Sequence, residues 1–193
     1  MSAEAKARVV AAAGRIADAE GLEAVTLARV AADVGMRPPS LYNHVSGRAG
    51  LMRELWLEAI EEMGAAIRDA AVGRSREDAI RAIAVAYRAY AVEHPGRYAA
   101  TARVPGSDDT EAVEVAAAAI SPIVAVLAGW QIEGDEAIHL VRVIRSALHG
   151  FVSFEIGGGF GLPLDLDHSF DLLVDSLNAA ITAAQPRRWA EER

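Results

Sequence analysis

The stretch from Thr26 to Leu51 constrains the fold of this chain more than any other, because its turn signals define two short helices. Its first part places apolar side chains at the helical spacing i, i+3, i+4 and i+7: Leu27, Val30, Ala31 and Val34. Thr26 is a favourable N-terminal cap, and Gly35 is a natural helix stop. Pro38 and Pro39 then open the second helix, where a missing N–H is tolerated. The stretch therefore predicts helix, tight turn, helix.

The rest of the chain is also predicted to be helical. A first helix spans about residues 3–20, and a fourth runs from about Arg48 to Gly73. Two long amphipathic helices follow at 133–156 and 165–184, with no repeat and no convincing strand. We expect an all-α protein with a three-helix unit at its N-terminus and a helical bundle behind it, divided at residues 1–48 and 49–193.

Composition narrows the protein classes that fit. The 193 residues are 52% hydrophobic, which is enough for a real core, and none is cysteine. Disulfides and thiolate metal sites are therefore excluded, and a reducing cytoplasm is expected. No apolar run is expected to reach the roughly 20 residues that span a bilayer, and the N-terminus has no signal-peptide pattern. We therefore expect no membrane partner.

The net charge of −8 is unevenly distributed. Residues 1–50 carry a net charge of +1, whereas the remainder carries −9. Between Val25 and Gly50 the acid is Asp33, against three arginines. The small N-terminal part is therefore locally basic, which keeps nucleic acid open as a partner despite the acidic total.

The predicted helix-turn-helix explains the unusual composition of "RPPSLYNHVSGR". In such a unit, the second helix enters the major groove of DNA and presents its first residues to base edges. Short or rigid side chains in its first turn allow a close approach, while Leu41 and Val45 face inward. Ordinary surface charge and helix packing are the alternatives for these polar residues. The expected DNA-binding residues are Thr26, Arg29, Arg37, Pro39, Ser40, Tyr42, Asn43, His44 and Arg48.

The segment "VTLARVAADVGMRPPSLYNHVSGRAGLMREL" resembles the DNA-binding region of the tetracycline-repressor (TetR) family. The matching positions are Thr26, Val30, Ala31, Gly35, Ser40, Leu41, Tyr42, His44 and Leu51. The chain departs from the family pattern at Arg48, where lysine is common, and at Val45, where phenylalanine is common. Arginine preserves the positive charge, so the phosphate contact is preserved in principle.

The C-terminal part resembles the TetR ligand-binding domain that is named for a Trp-His-Gly motif. His149-Gly150-Phe151 and Gly159-Phe160 carry this resemblance, together with "HPGRYAAT". It implies a homodimer in which the last two long helices pair with those of a second copy. The helices at 133–156 and 165–184 agree, since each has more apolar surface than a small bundle needs. The expected interface residues are Ile144, Leu148, Phe151, Leu173 and Leu177.

A small-molecule effector is the second expected partner, and its pocket is expected among aromatic and polar side chains of several helices. Most of these residues could equally be ordinary core, and His149 could be a packed histidine of the dimer helix. The expected pocket residues are Trp56, Met63, Tyr87, Tyr90, His94, Tyr98, Arg103, Trp130 and His149.

No catalytic chemistry is expected. Gly157–Gly161 follows no strand, so it is not a dinucleotide-binding loop. Asp165, His168 and Ser169 lie at a helix start, where Asp and Ser act as caps. The histidines lack a metal-ligand spacing. We expect a non-enzyme without cofactor or metal.

These observations predict a repressor that binds a pseudo-palindromic operator as a dimer and is released by an effector. Two alternatives remain open: an activator of the same architecture, and a helical ligand-binding protein without specific DNA binding.

Overall fold

The computed structural model describes residues 3–42, 45–102, 106 and 108–185, and this part of the chain contains helices and no strand. In chain order the helices are α1 (Ala3–Glu20), α2 (Leu27–Val34), α3 (Pro38–Leu41), α4 (Gly47–Ala71), α5 (Arg76–Glu93), α6 (Pro95–Ala100), α7 (Thr110–Leu127), α8 (Gly134–Ile156) and α9 (Leu166–Ala184). Short 3-10 turns follow α1 and α7, at Leu22–Ala24 and Ala128–Trp130. The predicted all-α fold is confirmed.

Local capping explains why α2 and α3 begin and end where they do. The Thr26 hydroxyl oxygen accepts a hydrogen bond from the Arg29 N–H at 3.2 Å, as expected for the cap of α2. Gly35 ends α2 in the left-handed region (φ 70°), which glycine adopts without strain. Pro38 and Pro39 occupy the first turn of α3. The helix, turn, helix arrangement is therefore fixed by short-range chemistry.

A core of small aliphatic side chains holds α1, α2, α3 and the start of α4 together. The largest fully buried members are Leu41, Leu51 and Leu55, joined by Val9 and Val30. Alanines of α1 and α2 fill the space between them, which lets the helix axes approach closely. Burial of this apolar surface is the main stabilising contribution to the unit.

Helix α6 lies against α1 at a point where no side chain fits. A Cβ added at Gly96 would lie 1.9 Å from the backbone carbon of Ala17, so only glycine permits this contact. Gly14 likewise leaves room for the Arg97 guanidinium. Helix α5 ends at Glu93, and Pro95 starts α6 with His94 as the residue between them.

Helices α8 and α9 bury a continuous apolar stripe each. The buried positions are Ala137, Leu140, Val141, Ile144, Leu148 and Val152 on α8, and Phe170, Val174, Leu177 and Ile181 on α9. Phe151 contacts Phe160 and Phe170 with ring centroids 5.0 and 5.2 Å apart. Arg88 of α5 lies over the Phe170 ring at 4.8 Å and binds Glu155 through two nitrogens.

The helices form two compact units. The first unit comprises Met1–Gly64 and Tyr90–Ala117, and the second comprises Ala65–Ala89 and Ala118–Arg193. Helices α4, α5 and α7 therefore contribute residues to both. The predicted division after residue 48 rests on the DNA-binding motif, and it stays a prediction about function.

Helix α7 differs from the sequence expectation about apolar runs. Thr110–Trp130 has a mean hydropathy of 2.0 and, by length and composition alone, could cross a membrane. The expectation that no run reaches this length is therefore wrong. One helix that passes this test does not establish a membrane span; 17% of its apolar window is buried, and Pro122 lies within α7.

Candidate nucleic-acid interface

Helix α3 presents a polar face to solvent and an apolar face to the core. Pro39 and Ser40 are exposed, and Tyr42 is 63% exposed, whereas Leu41 is fully buried. Val45 is also buried, and its N–H donates to the Leu41 carbonyl at 3.0 Å. Asn43 and His44 lie outside the described residues. The described residues thus separate into an outward and an inward set, as the sequence predicts.

Arg48 connects the start of α4 to the turn that precedes α2. Its Nε donates to the Val25 carbonyl and a terminal nitrogen donates to the Leu22 carbonyl, both at 3.0 Å. Glu23 lies 3.9 Å from the same guanidinium. The side chain is still partly exposed, so Arg48 both holds the Leu22–Val25 turn and offers positive charge at the surface.

The remaining predicted DNA-binding residues are exposed at the ends of α2 and α3. Arg29 pairs with Glu20 at 2.6 Å, and this exposed ion pair is worth little in stability. The Arg37 carbonyl accepts from the Ser40 N–H at 2.9 Å, which makes Arg37 the cap residue of α3. Thr26 combines exposure with its capping bond.

Two arginines of α1 support this region without having been predicted as functional. Arg8 donates to the Val34 carbonyl at 3.3 Å, and Arg15 pairs with Asp33 at 2.7 Å. Both contacts reach α2 near its C-terminal end, where cations are favourable. The sequence alone does not reveal these contacts. Arginines on the exposed face of any helix can have the spacing of Arg8 and Arg15.

A polar cluster also lies within the first unit, where α1, α4, α5 and α6 meet. Asp18 accepts the Arg97 backbone N–H at 2.8 Å and forms an ion pair with the Arg97 side chain at 3.3 Å. Arg97 also reaches Glu62 at 3.2 Å, and the Tyr90 hydroxyl donates to Glu62 at 3.0 Å. Burial and the Glu62 charge raise the pKa of Tyr90 above its ordinary value, so Tyr90 stays a donor.

The predicted effector-pocket residues are divided between the units. Trp56, Met63, Tyr90, His94 and Tyr98 belong to the first unit, and Tyr87, Trp130 and His149 belong to the second. Most of the aromatic members are buried, and Tyr90 and His94 stack edge to face at 5.1 Å. Trp56 lines a cleft of the first unit. Arg103 lies outside the described residues.

The predicted interface residues of α8 and α9 are mostly covered by the chain itself. Ile144, Leu148 and Leu177 are buried, whereas Phe151 and Leu173 are half-buried. The large apolar side chains that remain exposed on the same helices lie at other positions: Ile138, Val143, Phe154, Ile156 and Leu172. Periodicity predicts two amphipathic helices, but it does not indicate which face of each helix the chain itself covers.

The described part of the chain contains no group of three or more metal-ligating side chains. Asp165 caps α9 by accepting the Asp167 N–H at 2.9 Å, and Ser169 donates to the Asp165 carbonyl. These contacts are those of a helix start.

Comparisons with known proteins agree with this geometry. Residues 80–177 match the family described as "Tetracyclin repressor-like, C-terminal domain". The chain is 37% identical over 165 residues to the HTH-type transcriptional regulator Rv0681 of Mycobacterium tuberculosis, covering 85% of this chain and 75% of that protein. A further similarity, 48% over 54 residues, is to the HTH-type transcriptional repressor DrrR1 of Streptomyces coeruleorubidus; it covers 28% of this chain and 20% of that one.

Solved structures share the fold. The transcriptional regulator SCO7222, a TetR from Streptomyces coelicolor, superposes with a TM-score of 0.74 at 17% identity, covering 94% of this chain and 99% of that one. At this identity the structural similarity shows only a shared fold. The family match and the similarity to Rv0681 show common ancestry. From the helix-turn-helix, the matched C-terminal domain and these relatives, we conclude that the chain belongs to the TetR family of transcriptional regulators.

Proposed function

We propose that this regulator is a repressor that binds a pseudo-palindromic operator as a homodimer and leaves it when a small molecule binds. The observation that carries the proposal is the division of α3 into a buried Leu41 and an exposed Pro39, Ser40 and Tyr42. A short helix that packs on the core through its buried face and exposes small and aromatic polar side chains can bind in the major groove of DNA.

Within this proposal, bases and phosphates are contacted by different residues. Pro39 and Ser40 stand at the first turn of α3, where a ring or hydroxyl can reach base edges. Tyr42 and Arg48 are placed to contact the phosphate backbone, together with Arg29 and Arg37. We also assign Asn43 and His44 to the interface on the sequence pattern alone. Phosphate contacts give affinity and salt dependence, and base contacts give sequence preference.

The dimer is proposed to form through the outward faces of α8 and α9. Val143 and Phe154 are exposed on α8, and Leu172 is exposed on α9, with small residues between them. Exposed apolar side chains on two adjacent long helices suit a four-helix interface with a second copy. Two recognition helices would then contact half-sites about one turn of DNA apart, roughly 34 Å.

Release by an effector follows from differential affinity. A ligand that binds better to the state that does not fit the operator weakens DNA binding, and DNA weakens ligand binding by the same factor. Helix α4 is the proposed connection, since it begins beside Arg48 and continues to Ala71. The word repressor in the name of DrrR1 supports this direction of regulation. A cytoplasmic location fits a DNA-binding regulator of bacterial type.

The test is selection from a random DNA pool with purified protein, followed by anisotropy on the enriched sequence at about 50 and 200 mM salt. An inverted repeat bound with steep salt dependence supports the proposal. A folded, dimeric protein that enriches no sequence would contradict it and favour a ligand-binding role alone. A reporter placed behind the enriched sequence separates repression from activation.

Arg48 and Arg74 give a matched pair of variants, because both side chains donate to backbone carbonyls. Arg48→Ala is expected to weaken binding to all sequences alike and to reduce the salt slope by about one. Arg74→Ala, in the second unit, is expected to leave both quantities unchanged. If Arg48→Ala lowers affinity at an unchanged salt slope, Arg48 holds the turn but does not contact phosphate.

A further inference from the structure

The first unit contains a cleft directly behind the turn that Arg48 holds. Its volume is about 350 Å³, at the lower end of the range for small-molecule sites. The 3-10 turn after α1, the first half of α4 and the end of α6 surround it, together with Gly106 and Asp109. Its apolar lining consists of Leu22, Ala49, Met52, Trp56 and Ala100.

The indole N–H of Trp56, which lines this cleft, has no hydrogen-bond acceptor among the described residues. The residue is 3% exposed, and its Nε1 is buried without a hydrogen-bond partner among the described residues. A buried N–H that has no acceptor costs free energy compared with one that is paired. The indole lines the cleft, but its Nε1 is closed off from it, so a molecule held there supplies the missing acceptor only when the indole turns.

The charges at the rim of the cleft are already paired. Arg53 binds Asp109 through two bonds of 2.5 and 2.7 Å, and it also binds Glu111. The Arg53 bonds lower the pKa of the Asp109 carboxyl, so this pair is ionised at neutral pH. Arg48 lies near Glu23, so each cation of the rim has an acidic partner. A charged ligand would have to displace one of these partners, whereas an uncharged ligand would not.

We propose that this cleft binds an uncharged, mostly apolar molecule of about two rings that carries a carbonyl or similar acceptor for Trp56 Nε1. We further propose that its binding changes DNA affinity through Arg48. This second part rests on the proposed DNA-binding function; the site itself does not.

The route from cleft to DNA is short. Arg48 lines the cleft and its guanidinium holds the carbonyls of Leu22 and Val25, which precede the cap of α2. A ligand that contacts Arg48 or Leu22 therefore acts on the turn that positions α2 and α3, all inside one unit. No movement of the second unit is required for this coupling.

Benzophenone is the probe for the test, because it is uncharged, has two aromatic rings and carries one carbonyl acceptor. On irradiation, its excited carbonyl takes a hydrogen atom from a nearby C–H, and the two radicals combine. The adduct therefore keeps every atom of the probe, and peptide mass spectrometry can locate it. We expect saturable labelling of the full-length protein on the α4 peptide that contains Met52 and Trp56. Labelling that does not saturate, or that avoids α4, would overturn the proposal.

Two pairs of variants test the geometry. Trp56→Phe keeps the ring and removes the donor, so we expect affinity for benzophenone to fall about 3- to 10-fold. Trp130→Phe, whose indole lies beside Arg76 in the second unit, should leave it unchanged. Ala49→Phe fills the cleft and should abolish labelling, whereas Ala99→Phe, exposed and outside the lining, should not. Equal affinities within both pairs would contradict the site.

Anisotropy on the enriched operator, with and without benzophenone, tests the coupling. We expect operator affinity to change about 5-fold or more in the wild type and to stay constant in Ala49→Phe. Saturable labelling with unchanged operator affinity would overturn the coupling. If no operator is found at all, the proposed DNA-binding function fails, and the labelling result still decides whether the site exists.

Discussion

Helices α1–α3 and helices α8–α9 differ in how much of their apolar surface is exposed. In the described part of α1–α3 and the turn that follows, Tyr42 is the one large hydrophobic or aromatic side chain that is mostly exposed. In α8 and α9, Val143, Phe154 and Leu172 are each about half exposed or more. The first set completes its core within one chain and turns polar groups outward. The second set leaves an apolar face that a second chain can cover.

The two regions also differ in how arginine is used. Near α2, Arg8 and Arg48 donate to backbone carbonyls, while Arg15 and Arg29 pair with carboxylates. Near α8 and α9, Arg81 and Arg88 of α5 bind carboxylates, and Arg88 lies over two phenylalanine rings.

The largest expected effect is a loss of stability when the packing of α6 against α1 in the first unit is disrupted. Gly96→Ala would place a Cβ inside the backbone of α1, so we expect a loss of about 3 kcal/mol in unfolding free energy. Gly161→Ala meets open space and serves as the control. Urea unfolding of both variants is the measurement. Equal stability of the two would mean that α6 does not lie against α1 as described.

The next effect tests the open face of α9. Leu172 is 56% exposed, so Leu172→Glu should leave the fold intact and weaken the proposed dimer about 30-fold or more, roughly 2 kcal/mol. Leu162→Glu, which is exposed in the segment between α8 and α9, is the matched control. Light scattering over a dilution series measures the dissociation. An unchanged dimer would move the interface elsewhere.

Arg88 and Arg81 offer a comparison within one helix, since each binds two acidic residues. The Arg88 side chain is 18% exposed and stacks on Phe170, whereas that of Arg81 is 40% exposed. We expect Arg88→Ala to cost about 1.5 kcal/mol, because it leaves Glu155 partly buried without its cation. Arg81→Ala should cost less than about 0.5 kcal/mol. Thermal unfolding at pH 7 measures both, and a reversed order would contradict the burial difference.

The smallest effect concerns pH. Burial, with repulsion from Glu62, raises the pKa of the Glu58 carboxyl in the folded chain. The folded state therefore holds this proton more tightly, and stability falls as pH rises from the unfolded-state pKa to the folded-state pKa. Glu58→Gln avoids this loss, so we expect a gain of about 0.5 kcal/mol at pH 7. The gain should disappear at pH 3; a gain that is equal at both pH values would exclude titration as its cause.

The parts of the fold that follow from short-range chemistry could be predicted, and the parts that depend on packing could not. Thr26, Gly35 and Pro39 act through neighbours a few residues away, so they predicted both ends of α2 and the start of α3. The helix was expected to continue to Val45, but α3 ends at Leu41. The contact of Gly96 with Ala17 joins residues far apart in sequence, and no local pattern reveals it. The placement of α6 against α1 therefore could not be predicted from the sequence.

The candidate sites show the same division. The sequence separated the inward Leu41 from the outward Tyr42, because one helix face is periodic. It could not predict that the Arg48 guanidinium donates hydrogen bonds to the Leu22 and Val25 carbonyls, because a long side chain can adopt many rotamers. It also named Trp56 for a pocket but not the other residues of the cleft. Those residues come from four separate segments that only tertiary packing brings together.

The close approach of Gly96 to the α1 backbone makes it possible to compare the packing of relatives from their sequences alone. A relative with any side chain at this position must hold α6 farther from α1, and the Asp18 bond to the Arg97 N–H must then lengthen or break. The residue at position 96, considered together with positions 18 and 97, therefore sorts relatives into two packing subclasses. Such a sorting could be made across an alignment before any further structure is determined.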